Sequence, residues 1–156
     1  MDANTLCQLV DAKFEALSQL TELSEHQVAT IDENRMSDLM RILSQKQKLI
    51  EQLLRITDQL MPALQDDPLT RVWESEDVRQ QCRDRQQQCE QMHLQLLAIE
   101  AQCEATLQAS RSDMEEQLGR LNSGQQAAAG YSRSQAYGQT NSSGSSSGAR
   151  LDLSSN

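Results

Sequence analysis

The sequence predicts an all-α fold: a three-helix antiparallel coiled-coil-like bundle with a long last helix and a flexible C-terminal tail. Three observations carry that expectation. Cys82, Cys89, Leu96, Cys103 and Ser110 recur every seven residues, and Arg85, Met92, Ile99 and Thr106 follow the first four by three. Together they form one helical seam sustained over several heptads. Five of the six glycines lie at or after Gly124 and the two prolines are Pro62 and Pro68, so residues 1–121 hold almost no helix breakers outside one junction. Aromatic residues make up 3% of the 156 residues (Phe14, Trp73, Tyr131 and Tyr137), too few for a thick globular core.

The first helix is expected at about 5–32, from the apolar recurrence Leu6, Val10, Phe14, Leu17, Leu20, Val28 and Ile31. The stripe has a two-turn gap around Ser24 to Gln27. The second is expected at 37–64, with Ser37 as N-cap, Asp38 favourable in the first turn, and Leu39, Leu43, Ile50, Leu53, Ile56, Leu60 and Leu64 as its stripe. The short turn between them makes these helices antiparallel. Pro62, Asp66, Asp67 and Pro68 stop the second helix by about Gln65, and Asp67 can cap a short turn that has Pro68 at its first position. Trp73 falls in this junction, where its ring can clamp the turn against the bundle end.

The third helix is expected at 75–121, ended by Asn122, Ser123 and Gly124. At about 1.5 Å per residue its length is near 70 Å, against about 42 Å for each partner. That surplus leaves Leu107, Met114, Leu118 and Leu121 without an intramolecular partner, a stripe suited to a client's helix. A bundle that curls, staggers or dimerises would cover them instead. The methionines Met36, Met40, Met61 and Met92 are expected to fill the core, with Met114 a contact candidate.

From 122 to 156 the chain is a Gly/Ser-rich tail whose few apolar residues cannot offset an ordering cost of roughly 1–2 kcal/mol per residue. Asn141 to Gly148 separates two islands, Ala136-Tyr137-Gly138 and Arg150-Leu151-Asp152-Leu153, which read as docking motifs.

The net charge is −9, and the tail, with Arg133, Arg150 and Asp152, contributes +1, leaving −10 for residues 1–121. No Lys/Arg cluster suited to phosphate neutralisation is present, so no nucleic acid is expected. Met1 to Val10 lacks the basic start and apolar run of a secretory leader, and no stretch nears the roughly 20 apolar residues of a membrane span. No direct membrane insertion is expected, and the location is expected to be cytoplasmic, with free thiols. Cys82, Cys89 and Cys103 are two or four turns apart, too far for intrahelical disulfides and unlike the close pairs of a zinc site. His26 and His93 stand on different helices with no cysteine at ligand spacing and no glycine-rich phosphate loop. The expectation is therefore no cofactor, no metal site, no catalytic residues and no enzyme.

The residues resemble the FlgN family of bacterial flagellar export chaperones over nearly the whole chain. The first half is similar in its leucine-rich helix, short polar turn, and Leu39, Ile42-Leu43, Gln45-Lys46-Gln47, Leu49-Ile50 and Leu53-Leu54. Arg71-Val72-Trp73-Glu74 resembles the family's tryptophan at the start of its last long helix, Ala136-Tyr137-Gly138-Gln139-Thr140 its tail tyrosine-glycine, and Arg150-Leu151-Asp152-Leu153 its basic and aliphatic ending. The chain departs from the family at Cys89, Met92 and His93, where an Asn-rich turn is usual. The resemblance implies type III secretion: binding of hook-filament junction proteins of the FlgK and FlgL type, and docking on the cytoplasmic domain of the FlhA export gate. It places gate binding at Tyr137 and Gly138, with Tyr131 as second choice and Arg150, Leu151, Asp152 and Leu153 as the ending. A structural coiled-coil scaffold and a chaperone for a filament-cap subunit are the alternatives, and a homodimer stays open.

Overall fold

A computed structural model describes the backbone of residues 1–153 and the side chains of residues 1–133. All regular structure among them is helical, and the backbone signals that delimit each helix are local. Helix α1 runs Ala3–Asp32, capped by the Asp2 carboxylate, which accepts from the Thr5 N–H at 2.8 Å. That hydrogen bond satisfies an otherwise orphaned donor and holds the Asp2 carboxyl below its usual range. At the other end Asn34 takes φ 56°, and the Arg35 N–H donates to the Thr30 carbonyl at 2.8 Å. A left-handed asparagine closing the last turn is a common helix stop, and it reverses the chain in three residues.

Helix α2 spans Met36–Gln65, one residue longer than expected at each end. Its cap position is Arg35 with no side-chain cap bond, so Ser37 does not act as N-cap and sits inside the first turn. Asp38 serves that turn instead, accepting from Arg35 and Arg41 at 2.9 Å each. Pro62 lies in the last turn, and the helix ends at Gln65, where the sequence placed its limit. Pro68–Thr70 then forms one 3-10 turn with Asp67 as cap and Pro68 at its start, as its residues predict.

Helix α3 begins at Glu76, where the Ser75 hydroxyl accepts from the Val78 N–H at 3.2 Å, and runs to Leu153. The expected stop at Leu121 is overturned, because the helix passes through Asn122, Ser123 and Gly124. A glycine ends a helix by taking a positive φ, and among the described residues no glycine does so. No proline follows Pro68, and glycine costs a helix about 1 kcal/mol without forbidding it.

The chain divides into two units, residues 1–108 and the residues from Ala109 onward. In the first, Cys89 Sγ lies 3.9 Å from the Val10 carbonyl and Ile31 packs with Cys103, so α1 and α3 run parallel. Ile31 also meets Leu39 at the start of α2, which therefore runs antiparallel to both. The seam residues Cys82, Cys89, Leu96 and Cys103 are all buried. One apolar cluster joins Leu17, Leu20, Cys89 and Leu96, with Phe14, Leu49, Leu53 and Met92 against it. A second joins Ile31, Leu39 and Cys103 with Val28, Ile99 and Leu107. Full burial of a leucine such as Leu17 contributes about 2–3 kcal/mol, so this thin seam is the main source of stability.

Between the clusters lies a polar layer. Ser24, Gln27, Thr30 and Lys46 are buried, and the Lys46 ammonium donates to the Gln27 side-chain carbonyl at 2.6 Å and to the Glu100 carboxylate. The Ser24 hydroxyl donates to the same Glu100 oxygen at 3.2 Å. The gap in the α1 stripe is this layer, which every helix enters. Among the described residues no buried side-chain polar atom lacks a partner, so the layer carries no desolvation penalty of an orphaned group.

The second unit, as far as its side chains are described, buries nothing: every residue from Ala109 to Arg133 is exposed. Its helix is supported by ion pairs one turn apart, Arg111 to Glu115 at 3.1 Å and Arg120 to Glu116 at 2.7 Å. Such pairs contribute only about 0.2–0.5 kcal/mol each.

Candidate functional surfaces

The first candidate surface is on the second unit. Met114, Leu118 and Leu121 follow 4-3 spacing, so they share one face of α3, and they are 57%, 58% and 62% exposed. Leu107, expected to belong with them, does not. It is half-buried against the Ile31, Leu39 and Cys103 cluster, because the hairpin of α1 and α2 reaches about one turn further along α3 than the helix lengths suggest. Ser110, the next seam position, is exposed.

Of the tail residues assigned to a gate, Tyr131 is exposed on α3. Tyr137, Gly138, Arg150, Leu151, Asp152 and Leu153 lie outside the residues whose side chains are described.

A second surface was not anticipated. The stripe Leu39, Leu43, Ile50, Leu53, Ile56, Leu60 and Leu64 mixes two faces of α2. Leu39, Ile42, Lys46 and Ile56 are buried, with Leu49, Leu53 and Leu60 half-buried, and these face the bundle. Leu43, Ile50 and Leu64 are exposed, as are Met36, Met40, Leu54 and Met61. Written in order, Met36, Met40, Leu43, Gln47, Ile50, Leu54, Thr57, Met61 and Leu64 keep unbroken 4-3 spacing. That is a second heptad row, about 100° around the helix from the first. Met36, Met40 and Met61 therefore do not fill the core, whereas Met92 does. Testing each apolar residue of α2 against two offset heptads, rather than one averaged stripe, would have separated them.

The Leu64 end of this row opens on a cavity of about 370 Å³ at the bundle end. Thr57, Met61, Leu64 and Trp73 line it together with Lys13, Arg71, Arg79 and Arg83. Among the described residues no Asp or Glu lines it, in a chain with 23 acidic residues and 14 basic ones. Trp73 is half-buried here, so the junction tryptophan walls a cavity.

The cysteines are free thiols, and burial raises the pKa of Cys89 and Cys103 and pushes Cys82 up to about 12, with the nearby Cys7 thiol adding to the shift. A thiol held protonated is a poor nucleophile and metal ligand, and Cys89 and Cys103 pack in the two apolar clusters. His26 and His93 are both exposed and distant in sequence from any grouped ligands. Among the described residues no cluster of His, Cys, Asp or Glu could hold a metal ion, and no helix is long and apolar enough to cross a membrane. Comparison with family models, with curated proteins and with solved structures gives no match for this chain.

Proposed function

We propose that this chain is a cytoplasmic export chaperone of the FlgN type, which holds hook-filament junction subunits and delivers them to the FlhA export gate. The observation that carries it is the open face of Met114, Leu118 and Leu121 on a stretch of α3, Ala109 to Arg133, in which every side chain is exposed. Apolar side chains in a regular 4-3 row on this exposed stretch of helix suit an amphipathic client helix, which would bury on them what each partner otherwise exposes to water. The resemblance of Arg71-Val72-Trp73-Glu74 and of Ala136-Tyr137-Gly138 to the family supports the same reading. In it Tyr137, with Tyr131 second, anchors the tail to the gate, as an aromatic residue flanked by small ones can.

The exposed heptad row of α2 favours a second reading, a structural coiled-coil scaffold that assembles with itself. A pull-down from an extract of motile cells, with captured proteins identified by mass, separates the two. Recovery of FlgK- or FlgL-type subunits supports the chaperone. Recovery of this chain alone, with concentration-dependent assembly in sedimentation, overturns it.

A further inference from the structure

We propose that the outer row of α2, from Met36 to Leu64, is a second docking site whose occupant is an amphipathic helix of another protein, carrying carboxylates at the end that enters the bundle-end cavity. The site lies wholly in the first unit and does not depend on what the Met114 face binds.

Spacing gives the form of the occupant. A 4-3 repeat kept from Met36 to Leu64 is the pattern that a left-handed helix pair needs, whereas a globular surface needs no fixed period. The row is about 42 Å long and seven of its nine positions are large apolar side chains open to solvent. Its faithful repeat on the solvent side of α2 has no use inside the bundle, since the bundle uses the other heptad of the same helix.

Charge gives the occupant's chemistry. Four cations and no carboxylate line the cavity into which Met61 and Leu64 lead. Arg71 is engaged by Asp66 at 3.6 Å and Arg79 by Glu76 at 3.5 Å. Lys13 and Arg83 have no ion-pair partner among the described residues. Because salt screens the distant acidic surface beyond about 8–10 Å, these near cations set the local preference. A second copy of this chain would add another net charge of −9, without the local match that acidic residues at one helix end provide.

The test uses two labelled 28-residue heptad peptides with leucine on the seam, one with glutamates flanking its last two heptads and its twin with lysines there. Fluorescence anisotropy with the intact chain should show the glutamate peptide binding at least about tenfold more tightly at low salt. Leu54→Glu, at an exposed position that the fold does not need, should weaken it by about tenfold or more. Arg83→Glu should abolish the preference between twins. Leu94→Glu, at an exposed apolar position of α3 outside this row, should change nothing. Equal binding of the twins, indifference to Leu54→Glu, or loss with Leu94→Glu would overturn the proposal. So would a dimer in sedimentation that Leu54→Glu dissolves, because the occupant would then be a second copy.

Discussion

Removing the two ends of the Lys46 and Glu100 pair should cost very different amounts. The Lys46 side chain is 7% exposed and that of Glu100 43%. Glu100→Ala leaves a buried ammonium with only Gln27, at 2.6 Å, as a strong acceptor. Breaking a buried pair so that one charge stays behind costs about 3–5 kcal/mol. The Gln27 bond and the open Glu100 side, which admits water, bring this to about 2–3 kcal/mol. Lys46→Met leaves the charge on the side that water already reaches. Its loss is one donor to Gln27, about 1 kcal/mol, offset in part because no ammonium is then desolvated. Urea unfolding at pH 7, followed by helical circular dichroism, resolves the difference. With a slope of about 2 kcal/mol per molar urea, the midpoint should fall by about 1 M for Glu100→Ala and by less than about 0.5 M for Lys46→Met. Equal costs, or a larger cost for Lys46→Met, would refute the buried layer as described.

Amide hydrogen exchange should be near the free-chain rate from Ala109 to Arg133, which bury nothing, and slowed by orders of magnitude from Cys82 to Cys103. Protection of both segments alike would show that the second unit is packed against something. Stability should hold up to about pH 9 and fall above it. Thiols of the unfolded chain then ionise, whereas folded Cys82 keeps its proton to about 12 and Cys89 and Cys103 are shifted the same way. Cys82→Ala should flatten that alkaline limb, and an unaltered limb would count against the buried thiol. Tyr137→Ala should weaken binding to the FlhA cytoplasmic domain and leave the junction-subunit complex intact. The reverse pattern would exchange the two assignments.

Much of the bundle was legible because seam residues obey one period. Cys82, Cys89, Leu96 and Cys103 can be placed in the core by counting sevens, and Asp67 and Pro68 form their short turn by local chemistry, whereas the cap expected at Ser37 is not used. The Ser24 to Gln27 break was also visible. Its meaning was not, because a lysine on α2 and a glutamate on α3 fill it, and spacing along one helix does not report on the others. Two errors have the same origin. The sequence assigns Leu43, Ile50 and Leu64 to the bundle stripe because neighbouring heptads of α2 are both apolar, and only burial tells which row faces inward. Leu107 falls in the free stripe by helix length alone, which carries no information on the stagger between helices. The end of α3 was misplaced because Asn122 to Gly124 permits a stop but nothing there enforces one.

The most direct test of a protein built to hold another is calorimetric titration of the intact chain with an FlgK-type junction subunit, beside the double variant Met114→Lys/Leu118→Lys. Both residues are a little over half exposed, so covering them should contribute about 1 kcal/mol each. The parent should bind and the variant should lose about 30-fold in affinity, with the thermal midpoint unchanged because neither side chain supports the fold. Equal affinity for both proteins, or no binding by the parent, would contradict it.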